Sequence, residues 1–319
     1  MEVKGAFMRL RSFARRRQGP LTVLGSLLTA AIIALLLAGR REEFTQALES
    51  AAAWVLVLAV LLQVVALVSR SEAWHLTIEA AGGRVDRRIL YRASSMQVVG
   101  SVLNGQLGVA ARIAALRRSS PDVCPQVPTL IAAEFPIIAV EATLAALASF
   151  TLVVPLGLPW WSPVIGLVVV GAGSVGLRRL ALREGRKLWR GLAVLRSLNG
   201  GLRVVGLVLI AVFSQIARNW LLLHAVGVDA SVLDATAVLL ALVTLGQLPV
   251  GPAVGAAAAV LILGSDGVAL AAAAGVLTTV TGTLGGLCFV AWAGADHLWA
   301  GMLLRRKTLP PAPVGRRAL

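Results

Sequence analysis

Charge is scarce in this 319-residue chain: Asp, Glu, Lys and Arg make up 14% of it, where a soluble domain carries about 25%. With 58% hydrophobic residues and a mean hydropathy of +0.84, little remains from which to build a water-facing domain. Histidine is nearly absent, at His75, His224 and His297, and the two cysteines are Cys124 and Cys288. None of these five sits at metal-ligand spacing from another, so adjacent sequence builds no zinc or redox cluster and no disulfide framework. Acids are the scarcer sign, fifteen against thirty basic residues, for a net charge of +15. Lysine occurs only at 4, 187 and 307, so arginine carries the positive charge. Together with abundant Ala, Val and Gly, that usage suggests a high-GC bacterial genome. Walker sequences, nucleophile elbows and paired acids on a soluble loop are missing too, so neither an enzyme nor a cofactor is expected.

Long apolar runs are what the chain does have. Runs of about 18 or more apolar residues read as membrane spans. They lie at 21–39, 51–69, 127–154, 162–177, 204–226 and 268–295. The first follows a basic segment, residues 1–20, and is longer than the apolar core of a cleavable signal, so it reads as an uncleaved anchor. Trp160 and Trp161 suit an interfacial belt after the third run. Residues 70–92 are more polar, and Trp74 and His75 are expected on the membrane surface there. Basic residues cluster at the ends of the apolar runs. That places them against anionic lipid and the cytoplasmic side, with nucleic acid not expected as a partner.

Two further apolar segments are broken. One runs from Tyr91 to Arg118 and is interrupted by Asn104-Gly105-Gln106-Leu107-Gly108. The other runs from Val232 to Gly264 and is interrupted by Gly246-Gln247-Leu248-Pro249-Val250-Gly251-Pro252. Backbone that unwinds at membrane depth must be buried in protein or line a water-filled cavity, and a matched pair of breaks points to a transporter-like site near the midplane.

Charge counting sets the direction of each. The loop 40–49 holds two Arg against three Glu, whereas 70–92 holds five Arg against three acids. Linker 178–203 carries eight basic residues against Glu184, a net of +7, and belongs inside. An even number of crossings must then separate residues 92 and 127, and likewise 232 and 264. The expected architecture is an all-α integral membrane protein of about six full transmembrane helices plus two re-entrant helical hairpins. The hairpins open to opposite sides in a pseudo-inverted repeat. One membrane domain covers 21–299, with halves 21–177 and 204–299. The linker reads in part, from Leu180 to Leu198, as an amphipathic helix on anionic lipid. A basic tail, 300–319, reads as disordered and cytoplasmic, like the amino terminus.

Within the first hairpin, Asn104, Gln106 and Gly108 open a half-helix whose free N–H groups would face the membrane interior, a setting that suits phosphate or carboxylate. Arg112 lies one turn on, and charge inside a membrane segment is costly and usually functional. Glu134 and Glu141, two turns apart, share a helix face. Their expected partners are Arg112 and Arg218, either in a structural ion pair or in a relay. Arg218 is otherwise expected to snorkel. The second hairpin contributes Gln247 and backbone donors, with Pro249 and Pro252 breaking the helix.

The run Asn104-Gly105-Gln106-Leu107-Gly108-Val109-Ala110-Ala111-Arg112 is similar to an Asn…Pro-x-x-x-Gly-Glu-x-x-Arg stretch. Ala133-Glu134 is similar to Glu-Arg-x-x-Asp, and Leu248 to Gly255 to Leu-Pro-x-x-Pro-Gly-Gly-x-Gly. These stretches belong to the transmembrane region of the lysylphosphatidylglycerol synthase family, flippase-like membrane proteins, which the chain resembles over roughly 21–299. The resemblance implies that Asn104, Gly108, Arg112, Glu134, Pro249, Pro252 and Gly255 are the equivalent positions. Val109, Phe135 and Ile138 stand where that pattern has Glu, Arg and Asp, and Ala256 to Ala259 where it has a further Glu. Nothing in the 319 residues resembles the family's soluble aminoacyltransferase domain, so lysyl transfer is not expected of them.

The expectation is a multi-pass protein of the bacterial cytoplasmic membrane that binds, and flips or transports, an anionic phospholipid or polyprenyl-linked lipid. The second reading is a non-transporting scaffold for an envelope lipid or glycan biosynthetic enzyme. The expected partners are anionic membrane lipid and either a second copy of the chain or such an enzyme.

Overall fold

The computed structural model describes residues 35, 37, 39–101, 105–121, 123–182, 187–245, 254–263 and 267–308, with backbone alone at 105, 106, 187–189, 254 and 296–308. Every regular element among these residues is helical. The helices are α1 (Arg41–Ser50), α2 (Ala53–Ala80), α3 (Arg87–Ser101), α4 (Gly105–Ser119), α5 (Val127–Ala132), α6 (Phe135–Ala148), α7 (Ser162–Leu182), α8 (Leu198–Ala225), α9 (Val232–Leu245), α10 (Val254–Leu263) and α11 (Val268–Thr308). Short 3-10 segments cover Ser149–Leu152 and Lys187–Arg196. Five helical stretches are long and apolar enough to cross a membrane: Ala53–Ala80, Val127–Leu152, Ser162–Leu182, Leu198–Ala225 and Val268–Ala295. The expected first span, 21–39, falls almost wholly outside the described residues.

The frame is the antiparallel pair α2 and α8, each 28 residues long. No Gly or Pro interrupts α2. Both helices end on the same device, a glycine in the left-handed region where a side chain would be strained: Gly82 at φ +89° and Gly227 at φ +85°. The next N–H then reaches back to an otherwise orphaned carbonyl, Gly83 to Ile78 at 3.0 Å and Val228 to Leu223 at 3.1 Å.

Two apolar cores lie at opposite ends of this pair. One gathers Ala59 of α2 and Leu222 and Leu223 of α8 with Ala235 and Val238 of α9, Ile262 and Leu263 of α10, and the first turns of α11. The other gathers Trp74 and Ile78 of α2 and Val204 and Val208 of α8 with Leu90 of α3, Ile113 and Leu116 of α4, and Leu130 and Ile137. The second end carries Arg84, Arg87, Arg117, Arg118, Arg178, Arg179 and Arg203. The first carries Glu42, Glu43, Glu49, Asp229 and Asp234 beside Arg40 and Arg41.

Helices α3 and α4 pack antiparallel. Near their junction Gly100 lies against Gly108, where a Cβ on Gly100 would stand 2.9 Å from the Gly108 Cα. At the far end Leu90 and Leu116 share the basic-end core. Helices α9 and α10 pair in turn, both contributing to the opposite core. At 1.5 Å per residue, a helix of 14 or 15 residues such as α3, α4 or α9 is about 22 Å long, short of the roughly 30 Å hydrocarbon layer.

Three expectations are corrected. Helix α2 does not end at Ser69 but runs on to Ala80, and Trp74 and His75 are buried, not laid on the membrane surface. The polarity of residues 70–79 is met inside the protein: His75 Nε2 lies 3.1 Å from the Val85 carbonyl and Tyr91 hydrogen-bonds Glu72. Nor is Leu180–Leu198 an amphipathic lipid-surface helix. Helix α7 continues to Leu182, and the 3-10 segment packs on α5 with Leu192 and Val194 buried and Gly191 against the Thr129–Ala133 backbone. Arg196 Nε donates to the Ala181 carbonyl at 2.7 Å, closing the turn. Finally, the backbone stays helical to Thr308, so the first residues of the expected tail extend α11.

Candidate functional site

Pro136 organises the site. It cannot donate a backbone hydrogen bond, so the run from Val127 divides into α5 and α6, with Ala133 and Glu134 between them. Glu134 sits at this interruption with 5% of its surface exposed, and Arg112, at 1%, comes from the middle of α4. The two form an ion pair. The guanidinium lies over the Trp74 ring, 3.8 Å from its centroid, a stacking that suits a planar delocalised cation. One turn back on α2, Arg70 reaches Glu141 of α6 at 2.8 Å. Two ion pairs therefore lie near one another between α2, α4 and the α5–α6 run, the Arg112–Glu134 pair buried and the Arg70–Glu141 pair partly exposed, with no net charge. Burying a charge in a membrane protein demands such a partner.

Glu134 and Arg112 are thus brought together. Glu141 meets Arg70, which sequence reasoning had read only as the flank of a span. The signal was available: with α2 uninterrupted to Ala80, Arg70 and Trp74 stand one turn apart on one face.

Arg218 makes no acidic contact among the described residues and does not snorkel. It is 4% exposed and hydrogen-bonds Gln63 Oε1, which also accepts from Gln215 Nε2 at 2.8 Å. This second polar cluster joins α2 to α8 beneath the opposite core, and sequence reasoning missed it. Gln215 and Arg218 stand three residues apart on α8, but Gln63 lies on a separate apolar run, and nothing in the sequence joined it to them.

Two of the remaining expected site residues are engaged in packing. A Cβ on Gly108 would stand 2.7 Å from the Gln97 carbonyl. A Cβ on Gly255 would collide with the Gly275 carbonyl and the Thr279 hydroxyl of α11. Both glycines let backbones approach closely. Asn104, Gln247, Pro249 and Pro252 lie outside the described residues, and Gln106 is described by backbone alone. No group of His, Cys, Asp and Glu able to hold a metal ion occurs among the described residues.

The chain is an all-helical protein with the apolar helices of a multi-pass membrane protein. No family model, no curated protein and no solved structure matches it.

Proposed function

We propose that this chain binds an anionic phospholipid or polyprenyl-linked lipid within the bacterial cytoplasmic membrane and moves its headgroup between the leaflets. In this reading α3–α4 and α9–α10 are re-entrant hairpins that enter from opposite faces, and the two halves form a pseudo-inverted repeat. Both termini are cytoplasmic, since the basic end of the helices belongs inside by the positive-inside rule. The short helices and the opposite cores they join support the hairpins.

The observation that carries the proposal is the four-charge cluster of Arg70, Arg112, Glu134 and Glu141 beside the first hairpin. The paired state is the resting one. Proton uptake by Glu134 cancels its charge and leaves Arg112 without its direct partner, and a lipid phosphate takes the carboxylate's place on the guanidinium fork. Return of the proton to water restores the pair and expels the headgroup. Glu134 is suited to this exchange because it stands at a helix interruption, where its backbone can shift without moving α6 as a unit.

The test is lipid translocation in sealed vesicles, read by chemical quenching of head-labelled phosphatidylglycerol. Wild-type protein should equilibrate the label between leaflets, and Arg112→Ala should not. Equal rates in the two proteins would remove Arg112 from the mechanism. One observation favours the scaffold reading: Arg112 is 1% exposed, ion-paired with Glu134 and stacked on Trp74, as a static lock would be. Under that reading wild-type vesicles show no translocation and an envelope-biosynthesis enzyme copurifies in stoichiometric amount.

A further inference from the structure

Arg218 is a buried cation with no anion beside it among the described residues. Among the described residues it meets Gln63 alone as a hydrogen-bond acceptor, and its Nε has no partner. The Gln63 oxygen is already shared with Gln215. One position on, Asn219 is 1% exposed with both amide atoms unpartnered, so the unmet hydrogen-bonding capacity extends beyond the guanidinium. Arg218 sits about two turns before the end of α8, at membrane depth. An arginine there is expensive unless something neutralises it, and Arg112 shows how the same fold treats a charge it pairs.

An apolar groove runs between α2 and α11, lined by Leu56, Val60, Leu61, Leu277, Val280 and Leu284. Leu61, Val280 and Leu284 are exposed on its rim. Gln63 lies one turn beyond Val60 on α2. Thr281 also lines it, and at the next residue, Gly282, a Cβ would lie 3.3 Å from an Arg218 terminal nitrogen. Gly282 thus packs on the guanidinium one residue beyond a groove-lining residue, and Gly285 is pressed still more closely on Gln63, where a Cβ would stand 2.5 Å from the side chain.

We infer that this groove and Arg218 together form a second lipid site, in which an acyl chain lies in the α2–α11 groove and the phosphate of an anionic phospholipid is held by Arg218. Charge and access both select this occupant. The walls carry no charged residue, so a small hydrophilic anion has no route to Arg218. A neutral apolar molecule would leave the arginine uncompensated, whereas an amphiphile with a phosphate satisfies both surfaces, and the guanidinium fork matches phosphate oxygens. For the headgroup to reach the cation, α11 must move aside at Gly282 and Gly285, which pack on Arg218 and Gln63. The choice of lipid rests on the function proposed above. The site itself stands on Arg218 and the groove, and lies nearer the acidic end than the Arg112 cluster.

The experiment uses full-length protein in mild detergent, exchanged against equal phosphatidylglycerol and phosphatidylcholine, with retained lipid read by native mass spectrometry. Wild-type protein should retain phosphatidylglycerol preferentially. Arg218→Gln should lower that retention by about tenfold, the scale of a lost charge-assisted hydrogen bond, and Arg218→Lys should keep part of it. Leu284→Trp fills the groove from its lipid-facing rim, leaves Arg218 in place, and should lower retention too. It carries the test if Arg218→Gln does not fold. Undiminished phosphatidylglycerol on Arg218→Gln or on Leu284→Trp overturns the site, as does equal retention of the two lipids by wild type. The last result is also expected if another segment of the chain fills the groove. Translocation measured on the same preparations separates the two claims. Selective retention without translocation leaves this site standing and removes the transport reading. Translocation with retention unchanged in both variants removes this site alone.

Discussion

Arg112 and Glu134 neutralise one another where only 1% and 5% of their surfaces remain exposed. Neither can be removed alone without stranding the other. Loss of one partner from a buried pair costs about 3–5 kcal/mol, while replacing both by apolar groups of similar volume is often neutral. Arg112→Ala and Glu134→Ala should each destabilise the protein on that scale, and the double variant Arg112→Met/Glu134→Leu should recover most of the loss. Unfolding in mixed micelles measures this, and additive losses in the double variant would show that the two side chains do not depend on each other.

The hairpin junction makes a second prediction. Gly100 and Gly108 meet backbone to backbone, and a Cβ on Gly108 would stand 2.7 Å from the Gln97 carbonyl. Gly108→Ala should therefore push α3 and α4 apart and cost about 1–3 kcal/mol, the usual range for overpacking. Spin labels at Met96 and Ala114 should report a longer and broader separation in the variant. An unchanged distance distribution would mean that the contact has slack.

Cys124 serves as a native probe of orientation and pH. It lies in the loop between α4 and α5, at the basic end, and is half-buried. A membrane-impermeant maleimide should miss it on intact cells and label it in inside-out vesicles, because the topology proposed above puts the basic end in the cytoplasm. Burial pushes the thiol pKa up, with Arg117 pulling weakly the other way. The reactive thiolate is then scarcer at pH 7 than on a free cysteine, and the labelling rate should climb steeply between pH 7 and 9. Labelling on intact cells would invert the topology.

The seam between α10 and α11 offers a fourth test. A side chain at Gly255 has no room against Gly275 and Thr279. Gly255→Val should lower the thermal midpoint in detergent more than Gly294→Val, since Gly294, farther along α11, has no neighbour within 4 Å of an added Cβ. Equal shifts would deny the close approach.

The apolar runs showed where the long helices lie because a span must be uniformly apolar over its length. The same uniformity hid which face each helix turns inward, since a lipid-facing leucine and a core leucine look alike in sequence. Residues 70–79 misled for the opposite reason. Their polarity suggested water, yet Trp74, His75 and Thr77 are buried, with His75 Nε2 against the Val85 carbonyl and the Thr77 hydroxyl donating to the Trp74 carbonyl. Arg112 and Glu134 were legible as site residues because charge is rare at such positions, and only geometry could join Glu141 to Arg70. Gln63 and Arg218, separated by 155 residues, could be matched only by the antiparallel packing of α2 on α8.

That separation bears on how the protein is made. Chains are synthesised and inserted from the amino terminus, so Gln63 enters the bilayer long before Gln215 and Arg218 exist to meet it. Its amide must wait, turned to lipid headgroups, to the insertion machinery or to a provisional neighbour, until α8 arrives. Arg112 waits only 22 residues for Glu134. The basic-end half can therefore close its charges early, while the other half is completed late and brings an arginine with it as it docks.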